Sequence, residues 1–99
     1  MKSITALELQ DKIKIKQDFL LIDVREDFEH EIFNIGGKLI PMGTIAQHLA
    51  EVPNNKPVII YCEKGIRSVI VIQKLEQNFG YTNLINLTGG MQAWRKQVI

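Results

Sequence analysis

The residue with the strongest nucleophilic chemistry occurs once in this 99-residue chain. It is Cys62, in the segment Cys62-Glu63-Lys64-Gly65-Ile66-Arg67-Ser68. The apolar run Val58-Ile59-Ile60-Tyr61 precedes it and residues at helical spacing follow, so the order is strand, thiol, short loop, arginine, helix. In open α/β sheets ligands bind at the carboxyl ends of strands, and Cys62 falls at such an end. A loop that turns tightly into a helix aims backbone N–H groups inward as an anion nest. The helix N-terminus adds partial positive charge, and Lys64 and Arg67 add full charges. Each of these favours thiolate over thiol. Gly65 lets the loop adopt a backbone conformation closed to other residues. The alternative for an isolated cysteine is an inert, buried strand-end thiol; Gly65, Arg67 and the preceding strand argue against it.

The rest of the composition narrows the function classes. A net charge of +1 with dispersed lysines and arginines gives no basic patch for nucleic acid and none for an acidic membrane surface. One cysteine forms no internal disulfide and has no partners at metal-ligand spacing, so neither a metal nor another cofactor is expected. At 45% hydrophobic residues the chain can bury a core, and its length suits one domain over residues 1–99. The start, Met1-Lys2-Ser3-Ile4-Thr5, lacks the apolar stretch of a signal peptide. These features predict a soluble, cytoplasmic domain.

The elements that must position Cys62 alternate along the chain. Thr5 and Glu8 make a capping box, and Ala6, Leu9 and Ile13 follow at helical spacing, predicting a helix from about Ala6 to Lys14. Phe19 to Val24 reads as a buried strand. Phe28 and Ile32, four apart, predict a short helix that Gly36-Gly37 ends. Lys38 to Pro41 predicts a short strand, and Ile45, Leu49 and Val52 predict another helix. Val58 to Tyr61 is the clearest strand. Over Ser68 to Phe79 the β-branched run Val69-Ile70-Val71-Ile72 favours a strand by propensity. The stripe Val69, Ile72, Leu75, Phe79 and the stop at Gly80 favour a helix, which is the reading adopted. Asn83 to Leu87 reads as a last strand, and Gly89-Gly90 opens a last helix carrying Met91 and Trp94. Alternating strands and helices predict an α/β fold: a mostly parallel sheet covered on both faces, with right-handed crossovers.

Four segments in order resemble the rhodanese (sulfurtransferase) domain family. They are Leu21-Ile22-Asp23-Val24-Arg25-Glu26 with Phe28-Glu29; Ile35-Gly36-Gly37-Lys38-Leu39-Ile40-Pro41; Tyr61-Cys62 through Arg67-Ser68; and Leu87-Thr88-Gly89-Gly90-Met91-Gln92-Ala93-Trp94. Two positions depart from the family pattern: Asn34 stands where a histidine is usual and Gly36 where a proline is usual. The stretch Glu29 to Gly37 looks more like rhodanese domains attached to adenylyltransferases that activate sulfur-carrier proteins. The resemblance implies a three-layer fold with a five-stranded parallel sheet. It implies Cys62 as a nucleophile that carries a persulfide. Glu63, Lys64, Gly65, Ile66, Arg67 and Ser68 would form the substrate-binding loop. Asp23 and Arg25 would support that loop or steer substrate. His30 and His48 match no catalytic position, and Trp94 reads as core.

The implied partners are a small anionic sulfur donor such as thiosulfate and an external thiol acceptor: glutathione, thioredoxin or a sulfur-relay protein. With a single cysteine, the acceptor must come from outside the chain. Two other readings compete. A cysteine phosphatase places five residues between its cysteine and arginine, whereas four separate Cys62 from Arg67, and Glu63 would repel a dianionic ester. A non-enzymatic persulfide carrier or docking module needs the same loop, and the sequence does not separate it from an enzyme.

Overall fold

A computed structural model of the chain describes residues 1–97. In order, the elements are β1 (Lys2–Ile4), α1 (Ala6–Lys14), β2 (Leu20–Asp23), α2 (Asp27–Ile32), β3 (Lys38–Leu39), β4 (Val58–Tyr61), α3 (Ile66–Phe79), β5 (Leu84–Leu87) and α4 (Gly90–Gln97). The five strands form one sheet in the order β1-β5-β4-β2-β3, and every pairing is parallel. β4 therefore lies at the centre, with Ile59 opposite Leu21 on one side and Ile85 on the other. That position explains its unbroken apolar sequence, since a central parallel strand is buried on both faces.

Strand alternation divides the core in two. Val58, Ile60 and Cys62 face one layer with Val71, Ile72 and Leu75 of α3. Ile59 and Tyr61 face the other, with Leu9 of α1, Met91 of α4 and the half-buried Trp94. The period of two thus sends the thiol toward α3. The capping box opening α1 is present: Glu8 N–H donates to Thr5 Oγ1 at 3.1 Å and Thr5 N–H to Glu8 Oε1 at 2.9 Å. Gly80 ends α3 in the left-handed conformation, with φ +71°. Among the described residues no helix is long and apolar enough to cross a membrane.

The structure departs from, or adds to, the sequence reading at four places. The segment predicted as a helix on Ile45, Leu49 and Val52 is instead two 3-10 turns, Met42–Gln47 and Leu49–Glu51. Ile45 and Val52 are buried all the same. Short i→i+3 turns bring both side chains inward without a full helix, and His48 at φ −122° separates them. The pair that predicted α2 faces outward: Phe28 is 63% and Ile32 81% exposed. In α3 the inward face is Ser68, Val71, Ile72 and Leu75, while Phe79 is exposed. β1 carries no apolar run, and its three residues give no strand signal in the sequence. It forms because β5 offers an edge, pairing Lys2 with Ile85 and Ile4 with Leu87.

Candidate active site

Cys62 immediately follows β4, where the central strand ends and the chain turns into α3. Its side chain is buried, and its sulfur sits inside the turn. Gly65 N–H donates to Sγ at 3.1 Å and Ser68 N–H at 3.3 Å. Ser68 Oγ lies 3.4 Å from Sγ and donates to Asn86 Oδ1 at 2.5 Å. Two backbone dipoles therefore aim at the sulfur, an arrangement that stabilises negative charge there. Ile66 and Arg67 open α3, and the first N–H groups of a helix have no intrahelical acceptor. Gly65 caps α3 at φ +85°, a conformation that L side chains disfavour.

The loop is held from below by the start of α4. Met91 N–H donates to the Cys62 carbonyl and Gln92 N–H to the Glu63 carbonyl, both at 2.9 Å. This approach requires Gly90: a Cβ there would lie 2.3 Å from the Cys62 carbonyl oxygen. The Gly89-Gly90 pair thus does more than open a helix. It lets α4 reach the loop that carries the thiol.

Asp23 and Arg25 lie under the loop, both buried. Arg25 Nε is 3.1 and 3.2 Å from the two Asp23 oxygens, and Nη2 is 3.0 Å from Oδ2. The guanidinium also donates to the Phe33 carbonyl at 2.6 Å and to Glu63 Oε1 at 3.2 Å. Burial disfavours its charge, but the bonds and field of Asp23, with Tyr61 and Glu63, outweigh this and raise its pKa. Arg95 of α4 pairs with Glu63 from the other side, and its guanidinium carbon lies 5.7 Å from the Phe33 ring centroid. The hydrogen bond from Arg95 holds the Glu63 carboxyl below its usual range. His30, half-buried, reaches Asp23 Oδ2 with Nδ1 at 2.8 Å, so it belongs to this network although no motif marks it.

A cleft of about 280 Å³ opens above the sulfur, lined by Cys62, Glu63, Lys64, Ile66 and Arg67. All loop residues singled out in the sequence are thus at or directly beneath one opening. Arg67, however, does not point a free charge into it. Its two terminal nitrogens bind the two oxygens of Glu29 at 2.8 and 2.9 Å. The hydrogen bond from Arg67 holds Glu29 down to about 2, and Glu29 in turn raises Arg67. Lys64 is exposed and enters no ion pair among the described residues. Sequence reasoning missed Glu29, Asn86 and Arg95. Glu29 sits in a helix start that resembled the family, but its partner is 38 residues away.

Residues 5–97 match the Rhodanese-like domain family, and the chain belongs to it. The probable adenylyltransferase/sulfurtransferase MoeZ of Mycobacterium tuberculosis is 34% identical over 99 residues. The match takes in 97% of this chain and 25% of that protein, so the chain spans a quarter of that relative's length. The thiosulfate sulfurtransferase GlpE of Coxiella burnetii is 32% identical over 95 residues, covering 95% of this chain and 87% of that one. The crystal structure of a rhodanese-like domain protein from Staphylococcus aureus superposes with a TM-score of 0.86 at 40% identity. It covers 95% of this chain and 91% of that one.

Proposed function

We propose that this rhodanese-like domain is a cytoplasmic sulfurtransferase that works through a persulfide on Cys62. The observation that carries the reading is the convergence of the Gly65 and Ser68 N–H groups on Cys62 Sγ at the floor of an open cleft. The Cys62 thiolate attacks the outer sulfur of a donor such as thiosulfate. The donor S–S bond breaks, its electron pair leaves with sulfite, and the new S–S bond makes Cys62 a persulfide anion. A second thiolate, from outside the chain, then attacks the terminal sulfur and Cys62 departs as thiolate. This is nucleophilic covalent catalysis in two half-reactions, with no net change of electrons. The loop N–H groups hold the negative charge, and Lys64 attracts the anionic donor. Glutathione, thioredoxin or a sulfur-relay protein would serve as acceptor. The similarity to a thiosulfate sulfurtransferase over nearly the whole chain supports this class of donor. The similarity to one part of a larger adenylyltransferase/sulfurtransferase supports a relay role.

Intact-protein mass after incubation with thiosulfate tests the reading. A gain of one sulfur atom, about 32 Da, that a thiol reductant reverses is expected in the native chain and absent from Cys62→Ser. Sulfur loading by the folded Cys62→Ser variant would remove Cys62 from the mechanism.

A further inference from the structure

Three arginines stand around the Cys62 cleft, and each is already matched by carboxylate. Arg25 lies between Asp23 and Glu63, and Arg95 binds Glu63. Arg67, the one arginine that lines the cleft, has both terminal nitrogens on Glu29. This fork-to-fork geometry is the strongest that a guanidinium makes with a carboxylate. Glu29 is itself held in place. Its Oε1 accepts the Glu26 N–H at 3.0 Å in the capping box that opens α2. It is half-buried, and the hydrogen bonds from Arg67 hold its carboxyl well below the usual range. A donor that needed Arg67 would have to displace a carboxylate fixed at two points. What remains at the mouth is the single charge of Lys64 and the exposed apolar side chain of Ile66.

We propose that Glu29 is a specificity-determining residue of this cleft. By cancelling the charge of Arg67, it discriminates against doubly charged sulfur donors and favours singly charged donors with an organic tail. The inference rests on the sulfurtransferase reading and deepens it. Both donor classes run the same chemistry: thiosulfate releases sulfite, and a thiosulfonate releases a sulfinate, each taking the electron pair of the broken S–S bond.

The experiment compares thiosulfate, a dianion, with methanethiosulfonate, a monoanion, by kcat/KM for sulfur transfer to cyanide, read as thiocyanate. The quantity of interest is the thiosulfate-to-thiosulfonate ratio, because a general loss of structure lowers both terms together. Glu29→Gln keeps the cap on the Glu26 N–H and removes the charge. An unmasked unit charge roughly 6 Å from the donor, at an effective dielectric of about 40, raises the ratio about tenfold. Arg67→Gln alone leaves Glu29 uncompensated and lowers the ratio by a similar factor. In Glu29→Gln/Arg67→Gln the ratio returns to within about twofold of the native value, as expected for two groups that act on each other. An unchanged ratio in Glu29→Gln, or a raised ratio that persists in the double variant, overturns the assignment. So does an unchanged ratio in Arg67→Gln. If neither donor adds sulfur to native Cys62 by mass, the sulfurtransferase reading falls and this inference with it. If both add sulfur but the ratio does not respond, only the role of Glu29 falls.

Discussion

Gly90→Ala tests whether the contact of α4 with the loop sets the position of the thiol. The added Cβ would lie 2.3 Å from the Cys62 carbonyl oxygen and 2.8 Å from that of Glu63. Ordinary contact begins at 3.4 Å, so the backbone of loop or helix must move by about 1.1 Å, the difference between 3.4 and 2.3 Å. Neither neighbour is a flexible side-chain end that could swing aside. The residue also sits at φ +57°, where a side chain costs about 1–2 kcal/mol. Overpacking adds about 1–3 kcal/mol, so a stability loss of about 3 kcal/mol is expected, read by urea denaturation. The effect on sulfur loading should be larger than this loss implies. The movement stretches the 2.9 Å bonds that Met91 and Gln92 make to the loop carbonyls and carries Sγ away from the Gly65 and Ser68 N–H groups. A misplacement of about 1 Å costs roughly 100-fold in rate. The assay is the rate of the reducible mass gain at a temperature where the variant remains folded. Native-like loading together with native-like stability would refute the argument that Gly90 sets the loop.

Arg25→Met should destabilise the chain by about 3–5 kcal/mol, because Asp23 is left buried without its partner; a loss below about 1 kcal/mol in urea would show that water or His30 compensates Asp23. The Glu29–Arg67 pair should also make stability fall with acid. Glu29 titrates near 4.5 unfolded and near 2 folded, so the unfolded chain binds more protons between these values. The stabilisation is present above about 4.5 and is lost as pH falls toward 2. Partial exposure of both partners limits it to about 1 kcal/mol. Urea midpoints from pH 6 to 2 should therefore drop more steeply in the native chain than in Glu29→Gln, and parallel curves would count against the pair.

Features governed by local patterning were legible in the sequence. The unbroken apolar run Val58 to Tyr61 marked a strand with Cys62 at its carboxyl end, and the structure places that strand at the centre of the sheet. Gly80 and the residue pattern before it carried α3 against the β propensity of Val69 to Ile72, because a helix gives this segment a buried face on the sheet. Spacing alone misled at Ile45, Leu49 and Val52, since 3-10 turns also bring nearby side chains to one face. It misled in another way at Phe28 and Ile32. Their separation fits one helical face, but α2 turns its charged residue Glu29 toward Arg67 and leaves that face outside. β1 was invisible because its stability comes from an edge supplied by β5, more than eighty residues later. The charge pairing was equally hidden: Arg67 looked available because Glu29 is local only in space.

The four separated motifs have one physical object in common, the short loop from Cys62 to Ser68. The first supplies Arg25, which Asp23 orients and which holds Glu63 from beneath, and Glu29, which holds Arg67. The second supplies the Gly36 carbonyl, to which the Tyr61 hydroxyl donates at 3.0 Å, securing the end of β4 just before the thiol. The last supplies two glycines and the N–H groups of Met91 and Gln92, which bind the carbonyls of Cys62 and Glu63. With its carbonyls engaged from below, the loop is left with N–H groups facing the sulfur and the cleft. A loop held by only one of these would retain its sequence but not its geometry. This predicts that Tyr61→Phe, which removes a single bond and no volume, lowers stability by about 1 kcal/mol and slows sulfur loading by less than Gly90→Ala does. A Tyr61→Phe variant as slow as Gly90→Ala, measured side by side, would show that the strand end and not α4 governs the loop.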